Sequence, residues 1–412
     1  MNHLLPYRRR FLRQSLSAIA GGSFLISGAA QRVLFAADEP LTAATLVRGK
    51  DARLIVQGAD PIELETPLAL LREQSITPKS LLFVRNNQVL AGANTLAPPD
   101  VGNWTVELAG LLNRSATITV KDLQAMPQVE HEMVLQCSGN GRTMFSEVAP
   151  AKGAQWQCGA MGNVRFRGVP LAKALEKLDV QPAADANFLT AEGKDAPAKA
   201  GEADFEHSIP LVDALARSIL ALSLNGEPLP AVHGGPVRLV TPGYYATMNV
   251  KWLTRLRFEV TETSNHHQVR RYRTPKEPLA PGSEFTCDLT NSDANWRMRT
   301  KSVIFSPQTG EQVTAGRIEV RGVAWNDGAA RIESVDVGID DGTWHTARIK
   351  PSDSPYAWQP WTAMLYLPRG EHRISARATD SLGRSQPLSA AAHWNPSGYA
   401  CNAVHTVKVI AQ

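Results

Sequence analysis

The chain has 412 residues, of which 43% are hydrophobic, enough for two or three domains with packed cores. Its net charge of +4 comes from the N-terminus, because residues 1–36 contain five arginines and no acidic residue, and their removal leaves 38 basic and 39 acidic residues. A nearly neutral mature chain without a basic block interleaved with aromatic residues argues against a nucleic-acid-binding protein.

The first residues resemble an export signal. Arg8-Arg-Arg-Phe-Leu-Arg13 precedes a mildly apolar run, Leu16 to Ala30, that is too short and too rich in Gly and Ser for a membrane span. The Arg-Arg-x-Phe-Leu pattern resembles the twin-arginine signal, and Phe35-Ala-Ala37 offers a cleavage site. Residues 1–37 are therefore predicted to be a signal peptide. The mature protein is expected to be periplasmic, exported folded and without a membrane span. The alternative is the basic amphipathic start of a cytosolic protein.

Residues 38–275 are expected to form one mixed α and β domain. Hydrophobic patterns and turn residues predict its elements in chain order. These are a short helix at 68–72 capped by Thr66, strands at 81–87, 104–112, 116–120 and 133–135, a helix start at 120, a helix after Pro170, an exposed loop at 190–204 and helical spacing from 211 to 224.

One thiol stands at the end of a strand. Cys137 follows the apolar run from Met133 to Leu135 and precedes a glycine-rich turn and Arg142. Such a cysteine is either a buried free thiol or a soft ligand for a metal, and nearby positive charge favours its thiolate form. The chain contains no CxxC pair and no CxxCH haem attachment sequence. If Cys137 binds metal, the pairing among Cys158, Cys287 and Cys401 stays open.

A second block combines cations with a tight loop. His233-Gly-Gly-Pro-Val-Arg238 is followed by Asn249-Val-Lys251. If the intervening strand folds back, these side chains converge on a site suited to a phosphate, since arginine grips oxyanions as a fork and lysine adds a point charge. The alternative is that these cations are solvated.

The C-terminal part changes in character. Residues 276–297 contain Pro278 and Pro281 with charged neighbours and are predicted to be a linker. Residues 298–412 alternate between polar and apolar side chains with period two, which predicts an all-β sandwich of immunoglobulin type. The alternating segments are residues 318–325, 334–339, 344–349, 361–366 and 372–377.

Together these motifs resemble the sulfite oxidase family. Leu135-Gln-Cys-Ser-Gly-Asn-Gly-Arg142 is similar to the family's cysteine motif, and the His233 block with Val250-Lys-Trp252 is similar to its pterin-binding elements. Phe83-Val-Arg-Asn-Asn87 is similar to a third element, except that the family usually has histidine where Asn87 stands. The resemblance spans about residues 75 to 408. It implies an α+β fold with a molybdopterin-binding domain followed by the sandwich, which forms a homodimer interface in the family.

The resemblance also implies a site. The Cys137 sulfur would bind molybdenum beside the pterin dithiolene. Other implied cofactor-binding residues are Arg85, Asn86, Asn87, His233, Arg238, Asn249 and Lys251. The implied catalytic residues are Arg85, Arg142, Trp156 and Tyr272.

The expected function is the oxidation of sulfite to sulfate in the periplasm, with electrons passed to a separate c-type cytochrome, as a homodimer or a heterodimer with a cytochrome subunit. Gln359 replaces a family arginine that enters the substrate pocket from the sandwich, and is expected at the pocket rim. The alternatives are therefore a sulfane-sulfur dehydrogenase or an enzyme acting on another oxyanion or oxide. A further alternative is a binding protein without cofactor.

Overall fold

The computed structural model describes residues 41–412 apart from residues 89, 198, 200 and 341, so the predicted signal peptide lies outside the described residues. The described part of the chain combines short helices with several sheets, which confirms the α+β fold. Its helices are α1 (Ala43–Leu46), α2 (Leu68–Leu71), α3 (Val120–Ala125), α4 (Arg142–Ser146), α5 (Leu171–Lys177), α6 (Leu211–Arg217) and α7 (His266–Val269). None of these helices is long and apolar enough to cross a bilayer.

The strands before residue 276 build the part of the molecule that carries the site. They are β1 (Ile55–Ala59), β2 (Ile62–Glu65), β3 (Val84–Arg85), β4 (Thr105–Gly110), β5 (Ala116–Thr119), β6 (Val129–Gln136), β7 (Met161–Pro170), β8 (Phe188–Gly193), β9 (Glu206–Pro210), β10 (Ile219–Leu224), β11 (Glu227–Pro228), β12 (Arg238–Val240), β13 (Leu253–Glu259) and β14 (Arg273–Pro275). Three sheets result, with orders β1-β2-β3, β11-β10-β7-β6 with β12 beside β10, and β5-β4-β13-β8-β9.

Strand β6 shows how the sequence positions the central thiol. Its first residues are exposed or half-buried, whereas its last four are buried because they run under neighbouring elements. It pairs in an antiparallel register with β7 along its whole length, from Val129 opposite Gly168 to Gln136 opposite Met161. Cys137 follows directly, and its backbone N–H donates to the Ala160 carbonyl at 2.9 Å. The thiol therefore stands at the rigid end of a sheet.

The C-terminal strands form a two-sheet sandwich. Strand β15 (Ser292–Ala294) precedes the sandwich and pairs with β14. The sandwich strands are β16 (Lys301–Ser306), β17 (Gln312–Val313), β18 (Gly316–Trp325), β19 (Ile332–Ile339), β20 (Trp344–Thr346), β21 (Arg348–Ile349), β22 (Gln359–Leu367), β23 (Gly370–Asp380) and β24 (His405–Ala411). One sheet has the order β16-β18-β22-β21 and the other β17-β24-β23-β19-β20. Alternate residues such as Trp361, Ala363 and Leu365 fill the core between them, which confirms the predicted sandwich.

Four local predictions differ from the structure. The helical spacing predicted from 211 to 224 holds only for α6, and the apolar run after it is the buried central strand β10, because a strand covered on both faces lacks alternation. Residues 190–193 belong to the buried strand β8 rather than to an exposed loop. Thr66 does not cap α2; its hydroxyl donates to the Leu81 carbonyl at 2.5 Å. Within the predicted linker, β15 pairs with β14.

Candidate cofactor and active site

A pocket of about 650 Å³, including its open mouth, lies where the end of β6 meets the segments before β12, β13 and β14. Eight of the residues predicted from sequence line it: Arg85, Asn87, Cys137, His233, Arg238, Asn249, Lys251 and Tyr272. Segments spread over almost two hundred residues of chain therefore converge on one cavity.

Cys137 is a buried thiol at the pocket wall, 5% exposed. Burial raises its pKa, while Arg85, the backbone N–H of Gly139 at 3.4 Å from Sγ and Arg142 act to lower it. The raised pKa means that the free thiol is protonated at neutral pH. A coordinated metal deprotonates a thiol outright, so the position suits a metal-bound thiolate.

Arg238 and its neighbours form a buried cationic wall. The Arg238 Nε donates to the Asn249 carbonyl at 2.8 Å, and its Nη1 donates to the His233 carbonyl at 3.2 Å. Burial lowers the Arg238 pKa to about 9 and, with the neighbouring Arg238, lowers that of Lys251 well below its ordinary value. Lys251 donates to the Asn86 side chain. Asn86 therefore contacts a pocket-lining residue but does not line the pocket itself.

Two buried groups escaped the sequence analysis, one behind the pocket residue His233 and one in the pocket wall. Lys50, only 4% exposed, lies with its Nζ 2.9 Å from His233 Nε2 and donates to the Lys79 carbonyl at 2.6 Å. Asp195, in the segment predicted to be an exposed loop, lines the pocket instead, and burial raises its pKa to about 6 despite the opposing effect of Lys251. Lys50 carries no sequence signal. Asp195 could have been suspected only from its position directly after β8.

Arg85 is held in a fixed orientation at the end of β3. Its Nε forms an ion pair with Glu63 at 3.1 Å, and its Nη2 donates to Asn87 Oδ1 at 3.0 Å. Asn87, which stands where histidine was expected, thus orients the arginine and also approaches His267 Nδ1 at 3.4 Å.

Arg142 and Trp156 lie beside the pocket and do not line it. Arg142 is 5% exposed, and its Nη1 and Nε donate to the carbonyls of Ala154 at 2.6 Å and Ser397 at 3.0 Å. Trp156 is completely buried and packs in the same cluster as Cys137. The catalytic role implied for Trp156 stays a prediction, and in this structure the side chain packs beside Cys137 rather than in the pocket wall.

Tyr272 faces the pocket from an unusual backbone conformation. Its φ is +51°, a left-handed conformation that non-glycine residues seldom adopt. Burial raises the pKa of its phenol, so the hydroxyl is a proton-bearing hydrogen-bond donor. The neighbouring Arg273 does not join the site, because it is buried and paired with Glu262 at 2.9 Å.

Gln359 is not at the pocket rim, contrary to the sequence-based expectation. It pairs with Ala324 at the start of β22 and, by the alternation of that strand, shares the sandwich face with Trp361 and Ala363. Tyr399, from the segment before β24, stacks on the pocket residue Tyr272 with ring centroids 5.0 Å apart.

The donor set fits an anionic cofactor bearing a thiophilic metal. Two buried cations, Arg238 and Lys251, line a cavity in which no carboxylate pairs directly with Arg238 among the described residues. Burying cations without counter-charge is costly, so the arrangement is suited to a phosphate-bearing ligand. No group of three or more histidine, cysteine or carboxylate side chains in the described residues could hold a metal ion by itself. Cys137 can supply one sulfur ligand.

Comparison with known proteins agrees with this geometry. Residues 94–267 match the model of the oxidoreductase molybdopterin binding domain, and residues 292–412 match that of the Mo-co oxidoreductase dimerisation domain. Sulfite oxidase from Gallus gallus is 30% identical over 364 residues, covering 85% of this chain and 77% of that protein. The chain belongs to the sulfite oxidase family. Its cofactor is accordingly molybdenum-molybdopterin.

Other members of the sulfite oxidase family are similarly related. Mitochondrial sulfite oxidase of Drosophila melanogaster is 34% identical over 367 residues, covering 85% of this chain and 62% of that protein. The chain spans about 62–65% of the length of the mitochondrial relatives. The crystal structure of the sulfane dehydrogenase SoxCD from Paracoccus pantotrophus matches with a TM-score of 0.70 and 25% identity, covering 94% of this chain and 95% of the other.

Proposed function

We propose that this protein is a molybdopterin-dependent oxidoreductase that oxidises sulfite to sulfate in the periplasm and passes the electrons to a separate c-type cytochrome. The observation that carries the proposal is the meeting of a buried thiol, Cys137, with a wall of buried cations in one pocket. When bound, the molybdenum centre supplies the two-electron oxidation chemistry. The predicted signal peptide supports the periplasmic location, and the absence of a CxxCH sequence supports an external haem protein as acceptor.

The side chains divide into two groups. His233, Arg238 and Lys251 would hold the anionic part of the cofactor, with Asn249 at the same wall and Asp195 offering an acceptor to the amine groups of a pterin. Arg85, held by Glu63, would orient an oxyanion over Cys137. Tyr272 would donate a hydrogen bond to a substrate oxygen, since its phenol keeps its proton at neutral pH.

A second candidate is a sulfane-sulfur dehydrogenase. It is supported by the similarity to the sulfane dehydrogenase SoxCD over nearly the whole chain. The position of Gln359 outside the pocket favours it as well, because the sandwich adds no cation for a dianion such as sulfite. In this function the same pocket would accept a sulfane sulfur group, of which thiosulfate is the simplest soluble carrier. The match of residues 292–412 to a dimerisation domain fits either a homodimer or a complex with a cytochrome subunit.

Steady-state reduction of a c-type cytochrome by the purified, molybdenum-loaded protein distinguishes the candidates. The substrates are sulfite, thiosulfate and a sulfoxide, and the control is the same protein produced with tungstate in place of molybdate. We expect molybdenum-dependent turnover with sulfite. Turnover with thiosulfate and none with sulfite would show that the protein is a sulfane-sulfur dehydrogenase rather than a sulfite-oxidising enzyme. A protein that purifies folded but without molybdenum would support a binding protein instead.

A further inference from the structure

The segment 394–404 of the sandwich closes over the cysteine loop. The backbone N–H of Ala400 donates to the Ser138 carbonyl at 2.7 Å, next to Cys137. The Arg142 Nε donates to the Ser397 carbonyl at 3.0 Å. The segment is therefore attached to both ends of the loop that presents the thiol.

Tyr399 is held rigidly within this segment. Its backbone N–H donates to Asn395 Oδ1 at 3.0 Å, and Asn395 Nδ2 donates back to the Tyr399 carbonyl at 3.0 Å. Asn395 is itself 1% exposed, so this reciprocal pair cannot exchange freely with water. The position of the phenol ring is thus set by the fold rather than by a mobile loop.

The Tyr399 ring lies between two predicted catalytic residues. It is stacked on Tyr272 with an interplanar angle of 27°, and the guanidinium carbon of Arg142 lies 5.3 Å from its centroid. Offset-stacked aromatic pairs and cation–π contacts both favour a defined relative geometry of the groups involved. Tyr399 therefore fixes the relative placement of Tyr272 and Arg142.

The Tyr399 hydroxyl forms no hydrogen bond with another described residue, and it is not among the fully buried polar atoms without a partner, so its oxygen stays accessible. Burial raises the pKa of this phenol, and the positive charges of Arg142, Arg271 and Arg85 act to lower it. An accessible hydroxyl beside the Arg142 guanidinium is suited to an oxygen atom of a bound anion. The phenol donates without adding charge.

We propose that Tyr399 is a specificity-determining residue, whose hydroxyl donates a hydrogen bond to a substrate oxygen and whose ring positions Tyr272. This inference rests on the proposed function, because it takes the substrate to be a small oxyanion bound over Cys137. It also accounts for Gln359: the sandwich reaches the site through the segment 394–404 and supplies a neutral donor in place of a cation.

The test uses Tyr399→Phe, which keeps the ring and deletes the hydroxyl, and Tyr399→Leu, which deletes both. Tyr366→Phe is the matched control, because Tyr366 is 71% exposed on the outer face of β22. Sulfate binding to each molybdenum-loaded protein is measured by calorimetry, together with molybdopterin content and the KM and kcat for sulfite.

For Tyr399→Phe we expect full molybdopterin content and an unchanged kcat. Sulfate binding should be two- to tenfold weaker, with a similar rise in KM, which is roughly the effect of one neutral hydrogen bond. Tyr399→Leu should in addition lower kcat, because Tyr272 loses its support.

The outcomes separate this inference from the proposed function. If the parent protein turns over no sulfite but its sulfate affinity still falls in Tyr399→Phe, the assigned reaction fails and the role of Tyr399 stands. If the parent oxidises sulfite and Tyr399→Phe equals Tyr366→Phe in sulfate affinity and KM, the role of Tyr399 is refuted. A parent protein that binds no sulfate contradicts it as well. A loss of molybdopterin in Tyr399→Phe would overturn it in favour of a cofactor-binding role.

Discussion

Arg238 shows how a single side chain indicates a missing counter-charge. Arg238 is 4% exposed, and among the described residues its guanidinium donates only to backbone carbonyls, those of Asn249, His233 and Ala246. Burial lowers its pKa to about 9, because the charged form is unfavourable away from water. A phosphate at this wall would restore the balance by charge-assisted hydrogen bonds.

Replacing Arg238 should therefore act on cofactor content. In Arg238→Ala we expect the molybdopterin content of the purified protein to fall severalfold, because one charge-assisted hydrogen bond is worth roughly 1.5–3 kcal/mol. The KM for sulfite of the remaining loaded protein should change little. Arg331→Ala is the control, since Arg331 is an exposed arginine paired with Glu333 at 2.6 Å. Full molybdopterin content in Arg238→Ala would show that the phosphate lies elsewhere.

At the scale of elements, strand β9 and helix α7 join through a buried histidine. His207 on β9 lies with its Nδ1 2.8 Å from Gln268 Oε1 on α7, and its ring packs edge-on against Tyr272. Burial lowers the His207 pKa to about 3, so the folded protein keeps it neutral. The unfolded chain instead takes up a proton near the ordinary histidine pKa of about 6.5.

The sign of the pH effect follows. His207 contributes stability that is fully present above about pH 6.5 and is lost as the pH falls toward 3, at about 1.4 kcal/mol per pH unit. In His207→Gln the free energy of unfolding should be lower at pH 7 but should decline less steeply between pH 6 and 4. Urea unfolding at several pH values measures the slope. Parallel curves for the parent and the variant would mean that His207 titrates normally.

Some secondary-structure elements could be predicted from the sequence and others could not. The alternating strands of the sandwich were predicted from their period because one face of each is buried. Strand β10 was not predicted as a strand, because Ile219 to Ala221 are buried on both faces of the sheet and therefore do not alternate between polar and apolar residues. Asp195 was missed because a loop rich in Ala, Gly and Lys gave no sign that it would fold back onto Lys251.

The whole molecule joins two domains at one thiol loop. Lys301 of β16, 1% exposed, donates to the carbonyls of Asn140 at 3.2 Å and Cys401 at 2.8 Å and so ties the loop to the sandwich. The sequence motifs identified the segments that carry the site: eight of the residues predicted from them line one pocket. They could not predict that Tyr399 rather than Gln359 comes from the sandwich, since that depends on how segment 394–404 packs. Export and the electron acceptor stay predictions.

The central claim is that the Cys137 sulfur binds molybdenum, and X-ray absorption at the molybdenum edge tests it directly. The parent protein is compared with Cys137→Ser, a small change that should still fold and keep the pterin held by His233, Arg238 and Lys251. We predict one fewer sulfur neighbour around molybdenum in the variant, with loss of sulfite turnover. An unchanged sulfur count at full molybdenum loading, with turnover retained, would contradict the account.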